Sequence, residues 1–268
     1  MDMKKIGKVH YLEPLNLAKT GMAVQGFTTR HEGLSRPPYN SFNLGTNTLD
    51  SPHSVQGNRS LLARAFGTRL ERLVTVNQVH GVDLLVLDTP NPDYGHFLKL
   101  EADGIITNQP GVMIGICVAD CVPLLLLDPV QKVVAALHAG WKGTAGLIAH
   151  KGVEGLVKIF GSRPADILAA VGPGIGPCCY QVDGPVMETF KKSGAGWDLF
   201  ATEHEKGKWG LDLGAANRRH LLESGLVEEN ISTAAQCVSC NHDLFFSYRR
   251  DGGDTGRQMG FIMLQDKD

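Results

Sequence analysis

The stretch Ala119-Asp120-Cys121-Val122-Pro123-Leu124-Leu125-Leu126-Leu127-Asp128-Pro129, continued by Val133-Val134-Ala135-Ala136-Leu137-His138-Ala139-Gly140-Trp141, decides the fold of this chain. Val122 to Leu127 is apolar at every position, the pattern of a strand buried on both faces. Asp128-Pro129 marks a turn, and Val133 to Leu137 returns as a second strand. Antiparallel pairing sets the two open ends of such a hairpin side by side. The spacing therefore predicts that Cys121, just before the first strand, and His138, just after the second, are neighbours.

Working outward, residues 22–29 read as a strand and Arg30 to Val55 as a long polar loop rich in Gly, Pro, Asn and Ser. Loops of that length inside a domain are often functional. Residues 57–67 read as a helix. Residues 72–79 and 82–88 read as strands flanking His80-Gly81 in a hairpin-like corner, and Gly111 to Ala119 as a further strand. Thr144 to Phe160 fits one amphipathic helix opening from the Gly-rich turn Gly140-Trp141-Lys142-Gly143-Thr144. Free N–H groups at such an opening suit an anion. Strands over Ile167–Val171 and Ile231–Gln236 and helices over Pro185–Lys192 and Ala215–Ser224 complete the pattern. The expected class is α/β or α+β with mixed or antiparallel sheet. With no repeat, low-complexity block or linker, residues 1–268 are expected to form a single domain.

With 268 residues, 43% hydrophobic and 20% charged, the chain has the composition of a soluble globular protein. A formal net charge of -2 gives no reason to expect nucleic acid or an anionic membrane as a partner. No apolar run reaches the roughly 18 residues of a membrane span, and Met1-Asp2-Met3-Lys4-Lys5 leads into no apolar signal core. The six cysteines are then expected to be thiols or metal ligands in a cytoplasmic protein. A monomer or small homo-oligomer is expected.

Three chemistries fit Cys121 and its histidines. His80, Cys121 and His138 supply three soft ligands from separate segments, as in catalytic zinc sites that keep one position open. Zinc so held brings the pKa of bound water to about 7. Asp120 fits a general base or ligand-supporting carboxylate, and equally a turn residue at a strand end. The same trio fits type-1 copper, although none of the ten histidines forms the His-x-His pairs of multicopper oxidases. Without metal, Cys121 and His138 fit a nucleophile–base pair. Arg59, just after the polar loop, is a candidate anion ligand. Arg249, Arg250 and Arg257 lie among glycines, where they fit phosphate or carboxylate binding or pairing with Asp251 and Asp254. Cys237-x-x-Cys240 lacks a second C-x-x-C and reads as loop cysteines, and Cys178-Cys179 as packing residues.

Several of these segments form an ordered set: Phe27-Thr28-Thr29-Arg30, Asn43-Leu44-Gly45, Asn58-Arg59, Asn77-Gln78-Val79-His80, Ala102-Asp103-Gly104, Ala119-Asp120-Cys121-Val122-Pro123, His138-Ala139-Gly140-Trp141 with Gly143-Thr144, Gly172-Pro173 through Cys179-Tyr180, and Arg249-Arg250-Asp251 through Gly256-Arg257. Together they resemble the YfiH-like proteins, also called laccase-domain or polyphenol-oxidoreductase proteins, over about residues 24 to 265. The resemblance implies a single-domain αββα sandwich with mixed sheets, similar to the Cys–His domain of cytotoxic necrotizing factor. It implies zinc on His80, Cys121 and His138, with copper as the older assignment. It also implies purine nucleosides and phosphate as small-molecule partners: phosphorolysis of adenosine, inosine, guanosine or methylthioadenosine, and deamination of adenosine. Family members are further named peptidoglycan editing factors and copper-dependent polyphenol oxidases. On this reading Cys121, His80, His138 and Asp120 are the expected catalytic residues, and Asn43, Arg59, Gly143 and Thr144 the expected substrate and phosphate contacts. No zinc-deaminase H-x-E motif is present, so deamination here requires another constellation. The loop Arg30-His31-Glu32-Gly33-Leu34 departs from the family's usual Gly-Gly pair.

Overall fold

The computed structural model describes residues 1–90 and 94–265. Two six-stranded sheets dominate it. The first runs Asp2–Ile6, Val9–Glu13, Ala23–Thr28, Gln258–Leu264, Met113–Val118, Leu73–Val74 across its width. The second runs Ile231–Thr233, Leu168–Val171, Val122–Asp128, Val133–Ala139, Gly104–Thr107, Leu84–Leu87. Both sheets are mixed: Leu73–Val74 joins the first in parallel, and the outermost pair at each edge of the second is parallel.

The hairpin read from the sequence is the centre of the second sheet, pairing Val122 with Ala139 through to Asp128 with Val133. Its side chains alternate between two cores. Leu124, Leu126, Ala135 and Leu137 pack under the helices Ile148–Phe160 and Leu213–Glu223. Leu125, Leu127, Val134 and Ala136 meet Phe27, Ile114, Ile116 and Ile262 of the first sheet. The outer face of the first sheet, with Tyr11, Met113, Met259 and Phe261, packs against Leu62 of the helix Pro52–Ala65. The layers are thus helix, sheet, sheet, helix, the αββα sandwich that the resemblance implies. Because both faces of the hairpin are apolar, polarity alone does not fix its register. The turn does: buried Asp128 accepts from the N–H groups of Val130 (2.8 Å) and Gln131 (3.1 Å), an Asp-capped turn that locks the strand ends.

Three elements differ from expectation. The strands flanking His80 are not a hairpin, because Leu73–Val74 belongs to the first sheet and Leu84–Leu87 to the second. His80 therefore sits where the chain crosses from one sheet to the other. The expected helix Thr144–Phe160 is two helices, Trp141–Ala145 and Ile148–Phe160, separated at Leu147, whose left-handed backbone (φ 63°) ends the first hydrogen-bond ladder. The helix expected from residue 57 begins at Pro52, where proline suits a first helical turn. Among the described residues, no helix is long and apolar enough to cross a membrane.

Candidate metal centre

The open end of the hairpin carries the chemistry. Pro123 pairs with His138, so Cys121 and His138 arrive from adjacent strands. His80 joins them from the crossover, in a left-handed backbone conformation (φ 61°). The ligating atoms of His80, Cys121 and His138 all lie within 4.8 Å of one another. The two imidazole centroids are 4.8 Å apart at 70°. Gly140 makes room for the group: a Cβ there would stand 3.0 Å from both Cys121 Sγ and His80 Cδ2.

One carboxylate organises both histidines. Asp103, wholly buried, takes the Nδ1 of His138 on Oδ1 at 2.7 Å. The same carboxylate accepts the N–H groups of Val79 (3.2 Å), His80 (2.9 Å) and Gly81 (2.6 Å), pinning the crossover. Because Nδ1 of His138 is engaged there, Nε2 is left for the cluster, as carboxylate-supported metal histidines require. Burial alone would raise the pKa of Asp103. The bonds from His138, Gly81 and Val79 outweigh that and hold it below the usual carboxylate range. Burial likewise opposes ionisation of Cys121, but His138 and His80 bring its thiol down to about 6. Against its own burial, His138 is pushed up to about 9 by Cys121 and Asp103. Without metal, the pair is a thiolate beside an imidazolium. The sequence displays Asp103 within Ala102-Asp103-Gly104, but its role is set only by the long-range pairing of Gly104–Thr107 with the hairpin.

Asp120 lies beside the cluster with a positive φ of 90°. Its carboxylate accepts from Ser247 Oγ (2.6 Å) and the Arg249 N–H (2.6 Å). Burial raises its pKa despite these bonds. Cluster and Asp120 share a cleft of about 560 Å³ whose walls include Tyr180, Tyr248, Arg249 and Arg257. The Arg249 guanidinium lies 5.1 Å from the Tyr180 ring centroid, and that of Arg257 5.7 Å from Tyr248. Arg250 faces elsewhere. It forks onto Asp251 (2.7 and 2.9 Å) and donates to the carbonyls of Val238 and Phe245, holding a turn.

Four expected ligand contacts have other work. Asn43 is 0% exposed; its amide donates to Thr48 and Asp50, and its Oδ1 accepts from the Gly45 and Arg257 N–H groups. It builds the polar loop and has no surface for substrate. Arg59 is 7% exposed. It donates to the Leu44 carbonyl (3.1 Å) and Thr75 Oγ1 (2.8 Å). It lines an adjoining cleft that shares Thr46, Thr75 and Leu98 with the cleft of the cluster, but is not itself on the wall of the latter. Thr144 is 0% exposed; its N–H goes to the Gly140 carbonyl and its hydroxyl accepts from Asn217. A Cβ at Gly143 would sit 3.1 Å from the His138 carbonyl and 3.2 Å from that of Gly81, so this glycine serves close packing behind the ligands. The cysteines expected to be separate loop and packing residues also differ: Cys178, Cys179, Cys237 and Cys240 converge, their sulfurs within 4.8 Å of one another. The isolated bridge between Gly174 and Cys237 joins their loops, a pairing that local sequence does not encode.

Residues 24–265 match the family model described as multi-copper polyphenol oxidoreductase laccase. The chain belongs to this family. It is 39% identical over 249 residues to purine nucleoside phosphorylase YlmD of Bacillus subtilis, covering 91% of this chain and 89% of that one. It is 36% identical over 252 residues to adenosine deaminase RL5 from an unknown prokaryotic organism, covering 92% and 96%. The crystal structure of YlmD from Geobacillus stearothermophilus superposes with a TM-score of 0.88 at 35% identity, covering 98% of both chains.

Proposed function

We propose that this chain is a zinc-dependent enzyme of purine nucleosides that cleaves them with phosphate and deaminates adenosine. The observation that carries this reading is a three-donor cluster opening on a cleft with two arginines, in a chain 39% identical to a named purine nucleoside phosphorylase. The donors suit zinc: two imidazoles and one thiolate are its usual ligands, and three protein ligands leave a position open. Zinc in such a site activates water and polarises phosphoryl or carbonyl groups. His80, Cys121 and His138 would hold it, with Asp103 orienting His138. Multicopper oxidation fits less well. Among the described residues the only other ligand cluster is all cysteine, and the histidines of a multinuclear copper site are missing.

The surrounding residues divide the remaining work. Phosphorolysis forms a bond from a phosphate oxygen to C1′ of the ribose and breaks the bond from C1′ to the purine nitrogen. Arg249 and Arg257 hold the phosphate from the cleft wall, replacing Arg59, Gly143 and Thr144 in that role. Asp120, its pKa raised by burial, exchanges the proton that the departing purine or the exocyclic amine requires. Adenosine, inosine, guanosine and methylthioadenosine are the proposed substrates, and the cytoplasm, with reduced thiols, the proposed compartment. Chromatography of products from adenosine with and without phosphate tests this, beside Cys121→Ala. Phosphate-dependent adenine or phosphate-independent inosine, absent in the variant, supports the reading. No turnover under either condition overturns it.

A second reading rests on the metal-free electrostatics. Cys121, His138 and Asp103 form a thiolate–imidazolium–carboxylate series, the arrangement of a Cys–His hydrolase, and the substrate would then be an amide such as a peptidoglycan precursor. Activity that survives chelation and is destroyed by iodoacetamide supports this reading; activity lost with the metal and restored by zinc overturns it.

A further inference from the structure

The four converging cysteines lie outside the cleft already described. Cys178 and Cys179 end the loop Gly172-Pro173-Gly174-Ile175-Gly176-Pro177, and Cys237 and Cys240 flank a short turn 60 residues later in the chain. The Cys240 sulfur is 3.6 Å from that of Cys178 and 3.4 Å from that of Cys179. All four sulfurs fall within 4.8 Å of one another, and none of them forms a disulfide. Zinc–sulfur bonds of about 2.3 Å in a tetrahedron place the sulfurs roughly 3.8 Å apart. A disulfide would need about 2.05 Å. In an iron–sulfur cubane each thiolate binds a different iron, which spreads the ligands beyond this spacing. The arrangement therefore has the dimensions of a single tetrahedral ion.

The backbone supports the same conclusion. The Gly176 N–H donates to Cys237 Sγ at 3.2 Å, and the amides of Ser239 and Cys240 also point at it. Several N–H donors on one sulfur are what a ligating thiolate requires, because its charge strengthens each bond. The two loops are further joined by Val238 N–H to the Gly174 carbonyl at 3.0 Å. Cys178 and Cys240 are exposed, which gives an ion a route in.

We propose that Cys178, Cys179, Cys237 and Cys240 bind one zinc ion through four thiolates, as a structural centre separate from His80, Cys121 and His138. Four protein ligands leave no position for substrate. The work of the centre is positional. One loop continues from Cys179 into Tyr180 on the cleft wall, and its Ile175 N–H donates to the Asp120 carbonyl at 2.7 Å. The other continues to Ser247 and Arg249, which hold the Asp120 carboxylate. An ion between them fixes both walls of the cleft.

The test is metal analysis of the full chain purified after growth with zinc, comparing wild type, Cys121→Ala, Cys178→Ser and Cys240→Ser. About two zinc ions per wild-type chain are expected, and about one in each variant. Cobalt exchange separates the centres. The thiolate-to-cobalt absorption of a four-sulfur site should persist in Cys121→Ala and disappear in Cys240→Ser. Should the serine variants fail to fold, the wild-type cobalt spectrum still reports on four-sulfur coordination. The proposal is overturned if zinc-replete wild type leaves these four thiols open to a disulfide reagent, if mass mapping finds them oxidised in pairs, or if the site holds iron. It stands or falls independently of nucleoside turnover, because the Cys121→Ala arm reads it with the first centre disabled.

Discussion

The two sulfur-bearing clusters are close to opposite in construction. The first takes one thiolate and two imidazoles from the hairpin and the sheet-to-sheet crossover, supports them with a fully buried carboxylate, and opens on a cleft. The second gathers four cysteine sulfurs from two surface loops, with the Gly176 N–H donating to one of them, and closes on itself. The difference lies in what each group can still accept. Three donors, with only His138 inside a strand, would leave an ion one open position facing a cleft with two arginines, whereas four donors on loops would leave none and instead tie the loops together.

This contrast breaks first at Cys121. Cys121→Ala should abolish nucleoside turnover, exceeding the roughly 100-fold upper range for loss of a supporting residue, while leaving the four-cysteine cluster filled; steady-state product formation with metal analysis measures both. Next is His138→Gln in chelator-stripped protein. The Cys121 thiol, ordinarily near 9, is held down at about 6, so its thiolate fills as pH rises through about 6. Mass-mapped iodoacetamide alkylation of Cys121 should be half-maximal there, and removal of the imidazolium should move the midpoint upward, making thiolate a minor species at pH 7. Asp103→Asn keeps the size of the side chain but weakens its hold on Nδ1 of His138. Metal affinity, read by chelator competition, should fall roughly 10- to 100-fold. At Gly140 an added methyl meets Cys121 Sγ and His80 Cδ2 at 3.0 Å. Gly140→Ala should cost about 1–3 kcal/mol by overpacking, seen as weaker metal binding with an unchanged circular dichroism spectrum. The smallest effect sharpens the role of the cleft wall. Arg249→Gln should raise KM for phosphate by about tenfold, the low end for losing a hydrogen bond to a charged group, with metal content unchanged.

The part of this architecture legible in the sequence is the part encoded locally. Six consecutive apolar residues, a turn and a second apolar run specify the hairpin, and antiparallel geometry then places Cys121 beside His138. His80 is legible as a candidate ligand, but the entry of its flanking strands into different sheets is not, because local periodicity contains no information about which sheet a strand joins. The strand Gln258–Leu264, central in the first sheet between Ala23–Thr28 and Met113–Val118, is not legible for a related reason: a single apolar run near a chain end resembles many other segments until its partners are known. In the sequence Asn43 lies within the long polar loop and Arg59 just after it, which makes both candidate contacts. Their burial, and the exhaustion of the Asn43 amide on its own loop, follow only from tertiary packing. The four-cysteine cluster is the clearest case. Each pair is unremarkable alone, and only the bridge of Gly174 to Cys237 brings them together.

The capped turn at Asp128 has a reach beyond its own loop. It lies at the far end of the hairpin from His138, five residue pairs away and so roughly 17 Å distant along the strands. No substrate would touch it, yet it works as a ruler: the Asp128 cap sets the phase in which the returning strand is read out. Inserting or deleting a single residue between Pro129 and Lys132 would either bulge the turn or slide that strand by one step, and a one-step slide delivers His138 to the opposite face of the sheet. Leu137 or Ala139 would then stand where an imidazole is needed, with the core still apolar throughout. Where the strand slides rather than bulges, a change of length in this remote turn removes a candidate ligand as surely as its substitution would.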